Sequence, residues 1–199
     1  MTPRLVLFGL ALMPVLLQAQ SKAVQAVPPG AQQVAAALLA LPSEFRADAR
    51  VLGYAAGRPG LVPLREGKGP FTCLASDPAA KGFHVACYHQ SLEPFMARGR
   101  ALRATGVKGD QVDTVRFAEV RAGKLAMPSQ PASLYQLFGP PGAFDATTGK
   151  ATKAQALYIV YLPGATAAST GLSAKPAEGT PWLMFPGTPK AHIMFQPRM

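Results

Sequence analysis

Two cysteines, Cys73 and Cys87, constrain this chain more than any other pair of residues. Each sits in a short run with the two-residue period of a strand. In FTCLAS, Phe71, Cys73 and Ala75 share one face; in FHVACYH, Phe83, Val85, Cys87 and His89 share one. The segment between them contains DPAAKG, whose Asp-Pro and glycine are residues that turns select. Folding the runs into a hairpin with Ser76 opposite His84 brings Cys73 opposite Cys87, both thiols on the more apolar side. The spacing predicts a disulfide hairpin, and a bridge closing a loop of this size is worth about 3 kcal/mol in the chain-entropy account.

Such a bridge needs an oxidising compartment. The chain starts MTPRLVLFGLALMPVLLQAQ: one cation at Arg4, thirteen uncharged apolar positions over residues 5–17, then small and polar residues. That pattern predicts a secretory signal peptide over residues 1–22, cleaved between residues 19 and 23, and a single globular domain over residues 23–199. The apolar run is too short to span a bilayer, and no later stretch approaches the eighteen or so apolar residues a membrane helix needs. No cysteine follows the run, so a lipoprotein anchor is not indicated. The expectation is an exported bacterial protein, periplasmic or secreted and soluble once processed. A free Cys87 activated as a nucleophile by a nearby histidine is the alternative, and it would suit a reducing compartment.

Hydrophobic residues make up 49% of the chain and charged residues 15%, which excludes a disordered polymer. With 20 prolines and 19 glycines, long irregular connections between short elements are expected. The formal net charge is +10, but the basic residues are spread from Arg46 to Arg198 with no run of five. Nucleic acid is therefore not the expected partner. For an exported chain the anions on offer are headgroups and anionic cell-envelope polymers.

Periodicity predicts an α+β fold: a mostly antiparallel sheet of about six short strands, with one or two helices packed on one face and the Cys73–Cys87 bridge. An alanine-rich helix ends at Pro42. Ser91 is expected to cap a helix over 91–105, whose stripe is Leu92, Phe95, Met96, Gly99 and Leu102. GDQVDTVRFAEVR suggests a helix with Asp110 and Asp113 at its start, then a strand near KLAMP. ALYIVYLPG is the most apolar internal run and is expected at the centre of the sheet. Residues 164–181 are expected to form a long surface loop.

Five segments, LREGKGPFTC, ACYHQSLEPFMARGRALR, GKLAMPSQPASLYQLFG, YLPGATAASTGLSAKP and GTPWLMFPGTPKAHIM, together resemble a group of exported bacterial proteins of uncharacterised activity. They span roughly residues 60–195. The resemblance implies export and one domain, and it brings no activity.

His84 and His89 fall on opposite faces of a strand, so they cannot share one metal. The sharpest ligand-like motif is AHIM, in which His192 and Met194 share a strand face, with Met184 able to return across a hairpin through PGTPK. An imidazole with thioethers suits Cu(I). Exported copper chaperones use a His-x-Met pair, but their upstream His-Met pair is missing here, where Thr170 stands. The competing reading is a strand with Ile193 and Phe195 facing the core. A hydrolase needs a nucleophile, a base and an orienting acid, and no Gly-x-Ser-x-Gly elbow is present. With the cysteines bridged, three histidines are too few for structural zinc. The leading expectation is a non-catalytic binding or structural protein, its catalytic residues none and its cofactor unknown, with Tyr158 and Trp182 as candidate aromatic contacts. Copper binding and an unrecognised hydrolase follow. Mass spectrometry of native product should find an N-terminus between residues 19 and 23 and no alkylatable thiol; an intact N-terminus with two free thiols would refute export.

Overall fold

The computed structural model describes residues 26–177 and 179–197, so the signal-peptide expectation for residues 1–22 lies outside the described residues. In chain order the elements are α1 (Gly30–Leu38), β1 (Arg50–Gly53), β2 (Val62–Arg65), β3 (Phe71–Leu74), β4 (Phe83–His89), α2 (Glu93–Ala104), α3 (Gln111–Arg121), β5 (Ala132–Gly139), β6 (Gln155–Tyr161), α4 (Ala167–Thr170), β7 (Trp182–Met184) and β8 (His192–Phe195). All eight strands join one sheet in the order β2-β1-β3-β4-β5-β6-β8-β7. Every pairing is antiparallel except β1 with β3. The fold is α+β with a mostly antiparallel sheet, as expected, but it has eight strands rather than about six.

The hairpin register is the one the sequence implies. Cys73 pairs with Cys87 and the two form a disulfide. Ser76 accepts from the His84 backbone N–H through its hydroxyl at 3.0 Å, closing the turn end. Both cysteines are fully buried, together with Val51, Phe71, Phe83 and Val85. Helix α1 lies on this face. It presents Ala36 and Ala37, and the Cys87 sulfur comes within 3.4 Å of the Ala37 carbonyl oxygen. Only small side chains allow a helix so close to a sulfur bridge. Gln33 then ties the helix to the end of β1, its carboxamide donating to Pro28 and Tyr54 carbonyls at 2.7 and 2.9 Å and accepting from Tyr54 N–H at 2.8 Å.

Helices cover both faces of the sheet, which corrects the expectation of one. The reason lies in β4, where only His84 is exposed: Val85 and Cys87 look toward α1, while Ala86 and Tyr88 face the other way and are equally buried. A strand buried on both sides must be sandwiched. The second face carries Leu134, Ile159 and Tyr161 beneath Leu92 and Phe95 of the α2 segment and Phe117 and Val120 of α3. The predicted stripe on α2 holds, with Leu92, Phe95, Gly99 and Leu102 buried. At Gly99 a Cβ would stand 2.9 Å from the Arg116 guanidinium, so glycine is what lets α3 close on α2 there.

Four local expectations change. Helix α2 begins at Glu93, after a 3-10 turn over Gln90–Leu92 that the His89 side chain caps, and Ser91 sits inside that turn. Asp110 makes no capping bond. No strand forms near KLAMP; Leu125 and Met127 pack on the core without pairing, because β5 already has β4 and β6 on its two edges. The apolar run of β6 is interior but not central: β4 and β5 hold the middle, and Tyr158 on β6 is 40% exposed. Among the described residues no helix is long and apolar enough to cross a membrane. Replacing both cysteines, Cys73→Ser with Cys87→Ser, should lower the urea-unfolding free energy by about 3 kcal/mol without changing the far-UV spectrum; an unchanged midpoint would show that the bridge adds nothing to the packed hairpin.

Candidate functional site

The strand ends nearest the α2 segment build a cleft of mixed polar and apolar lining. Thr72 pairs with Arg50 on one side and with Tyr88 on the other, so these three side chains form a row on the α2 face. One residue later the chain leaves β4 at His89, whose ring stands edge-on to Phe71 with centroids 5.6 Å apart. The following turn is pinned by Gln90 N–H donating to the Pro70 carbonyl at 2.7 Å. The opposite wall is the β2–β3 connection. Gly69 N–H donates to the Asp48 carbonyl at 2.8 Å, and a Cβ on Gly67 would fall 2.3 Å from that same oxygen. Only glycine permits this approach. The cleft has a volume of about 480 Å³ and is lined by Arg50, Gly67, Thr72, His89, Ser91 and Glu93, among others.

Its charges are unevenly satisfied. Glu93 accepts from the Tyr88 hydroxyl and from Arg100 at 2.5 Å, and Arg100 also donates to the Tyr88 oxygen at 2.8 Å. Burial first, then the bond to Glu93, pushes the Tyr88 phenol well above its ordinary range. The tyrosine keeps its proton and the glutamate charge is matched by Arg100. Arg50 is different. Its nearest anion, Glu66, is 3.4 Å from Nε and 75% exposed. The Nε itself is buried without a hydrogen-bond partner. Thr72 is 5% exposed, and its hydroxyl has no hydrogen bond among the described residues.

Ser91 Oγ lies 2.9 Å from His89 Nδ1, within reach for a nucleophile and its base. The Ser91 backbone N–H donates to the same nitrogen at 3.3 Å. Nδ1 therefore serves as the acceptor that caps the turn, and the ring proton belongs on Nε2. No acid among the described residues bonds that second nitrogen, so the pair has the form of a turn cap.

The residues singled out for Cu(I) lie across the sheet. Met184 pairs directly with His192, and Trp182 with Met194, so all four share the α2 face. His192 is 5% exposed, between the rings of Tyr161 at 5.0 Å and Phe185 at 5.7 Å. Its Nδ1 is 2.7 Å from the Lys190 carbonyl, which assigns the proton to Nδ1 and leaves a lone pair on Nε2. Met194 packs into the core, while Met184 is half-buried. His84 is exposed on β4, far in register from this group. Trp182 is buried on the α2 face and Tyr158 is exposed on the other, so the two aromatic candidates form no joint surface.

Behind His192 a partly buried ionic network joins α3 to the β7–β8 connection. Asp113 accepts from Arg116 and from Lys190, the latter at 2.8 Å; Arg116 lies 3.8 Å over the Phe95 ring and donates to the Phe95 carbonyl at 3.0 Å. Burial raises the Asp113 pKa, but the bonds from Lys190 and Arg116 outweigh it and hold the carboxyl below its usual range. A second cleft, about 260 Å³ and mainly apolar, lies between α1 and the β3–β4 turn over Phe83 and Phe144.

Sequence reasoning missed Arg50 and Thr72. Each is an ordinary strand residue whose place is set by the parallel β1–β3 pairing, and no local pattern announces that pairing. Comparison with protein-family models, curated proteins and solved structures found no match.

Burial lowers the His192 pKa most; the bond to the Lys190 carbonyl opposes it, and the Lys190 charge adds a smaller lowering. The folded state thus resists protonation more than the unfolded one, and the stability from a neutral imidazole is lost as pH falls below about 6.5 toward the folded pKa. Chemical denaturation from pH 7 to pH 5 should show this loss in the native chain and a flatter profile in His192→Gln; parallel profiles would overturn it.

Proposed function

We propose that the chain is an exported, non-catalytic binding protein, periplasmic or secreted, and that its ligand seats in the cleft beside Arg50. The observation that carries this reading is Arg50, a permanent cation lining the cleft, whose Nε makes no hydrogen bond among the described residues and meets only the exposed Glu66, at 3.4 Å. The signal-like N-terminus, the disulfide and the likeness of five segments to exported bacterial proteins support the compartment. The capping geometry of His89 and Ser91 supports binding over hydrolysis. The rigid walls, set by the glycine contacts on one side and by Glu93, Tyr88 and Arg100 on the other, suit a preformed site. Amide NMR with a library of small polar fragments should move the Gly69, Thr72 and Ser91 resonances together. Fragments that move only the apolar cleft under α1 would refute the assignment.

A second reading, Cu(I) binding, is favoured by one observation: Met184 stands across from His192, whose Nε2 lone pair is left free by the Nδ1 contact with Lys190. Burial favours the neutral imidazole that a metal requires. Anaerobic Cu(I) titration should show weaker binding for His192→Ala and Met184→Leu than for the native chain, and equal affinities would remove this reading.

A further inference from the structure

We infer that the cleft beside Arg50 takes a single oxyanion group, a phosphate or a carboxylate. This deepens the binding reading and rests on it.

Three buried side-chain nitrogens lack a hydrogen-bond partner among the described residues: Arg50 Nε, Arg116 Nε and Trp182 Nε1. Arg116 and Trp182 are 4% and 7% exposed beneath packed elements. Arg50 alone of the three lines the cleft described above. Its neighbour Thr72 adds a hydroxyl with no hydrogen bond among the described residues. At the strand end His89, which packs on Phe71, also lines the cleft; it accepts at Nδ1, which leaves an N–H on its Nε2. The side chains free to bond a ligand are thus a guanidinium, a hydroxyl and an imidazole N–H. All can donate and two can only donate. A ligand rich in acceptors fits them, and a cationic or purely apolar one does not.

Three carboxylates stand close by: Glu93 and Glu66, which already have partners, and Asp48 behind Gly69, which is exposed to solvent. Glu93 is held by Arg100 and the Tyr88 hydroxyl, so its charge is matched within the wall. Glu66 is 75% exposed and makes only a 3.4 Å ion contact to Arg50, from which solvent can draw it. The N-terminus of α2 lies beside the cleft as well, but Glu93 in its first turn already meets that partial charge. The case therefore stands on Arg50, Thr72 and His89. Arginine is the side chain whose fork geometry matches phosphate and carboxylate oxygens.

The test uses the mature chain with its disulfide intact. Inorganic phosphate and acetate are titrated while the Thr72, Ser91 and Gly69 amides are followed by NMR. At least one anion should shift all three and saturate. Arg50→Gln should weaken that binding by about tenfold or more, and Thr72→Val should weaken it by about threefold or more. Near-UV spectra serve as the folding control, and Thr72→Val keeps the test decisive should Arg50→Gln unfold. Anions that leave these amides unmoved, or bind Arg50→Gln as they bind the native chain, overturn the inference. If neutral fragments still move the same amides, the binding reading survives that failure; if nothing moves them, both fall. A poly(glycerol phosphate) arm separates the sources: tighter binding per phosphate than inorganic phosphate supports an envelope polymer as the carrier, and equal binding supports a free anion.

Discussion

The covalent bond between Cys73 and Cys87 joins residues already opposite one another in an antiparallel pair, so it holds the register of β3 on β4. Much depends on that register. It sets which face of β4 carries Phe83 and Val85 and which carries Ala86 and Tyr88, and a slip by one residue would exchange them. It also places Thr72 beside Tyr88 and, through the parallel neighbour, beside Arg50. The cleft thus depends on the register that the sulfur–sulfur link locks. Helix α1 completes the arrangement because its alanines can settle against the bridge where larger side chains could not.

The other face is organised by ionic groups as much as by apolar ones. Arg98 grips Glu119 through three contacts of 2.6 to 3.0 Å, joining α2 to α3. Arg116 lies buried between the Phe95 ring and Asp113. Asp113 then reaches Lys190 in the β7–β8 connection, whose own carbonyl orients His192. A buried ion pair is poor evidence of net stability, but breaking one partner leaves an uncompensated charge. Such a chain of contacts fixes geometry: it sets how α3 sits over the sheet and how the His192 imidazole is turned.

Much of the fold was legible in the chain itself. The hairpin register followed from two-residue periodicity and one turn, and the α2 stripe followed from helical spacing, since both are local patterns. What escaped was whatever depends on partners distant in sequence. The apolar character of Ala86 and Tyr88 was visible, yet only the position of β4 between β3 and β5 explains why both of its sides need cover. KLAMP has strand-like residues, and it stays unpaired because no sheet edge is free beside it. For the sites, the two-residue period puts His192 and Met194 on one face, and the β7–β8 hairpin returns Met184 to stand opposite His192. Arg50 was invisible because a parallel pairing between β1 and β3 requires a crossover through β2 that no short motif encodes.

The sheet is open at both ends, with β2 as one border and β7 as the other. An open border strand is a template on which further chains can stack. Here the β2 border is four residues long and carries Pro63, which has no N–H to offer. The β7 border is three residues long and runs at once into Phe185, whose φ of 51° turns the backbone out of extended geometry. Neither border presents the long, regular ladder that strand-by-strand aggregation needs, so the sheet's own ends guard against stacking of one copy on the next.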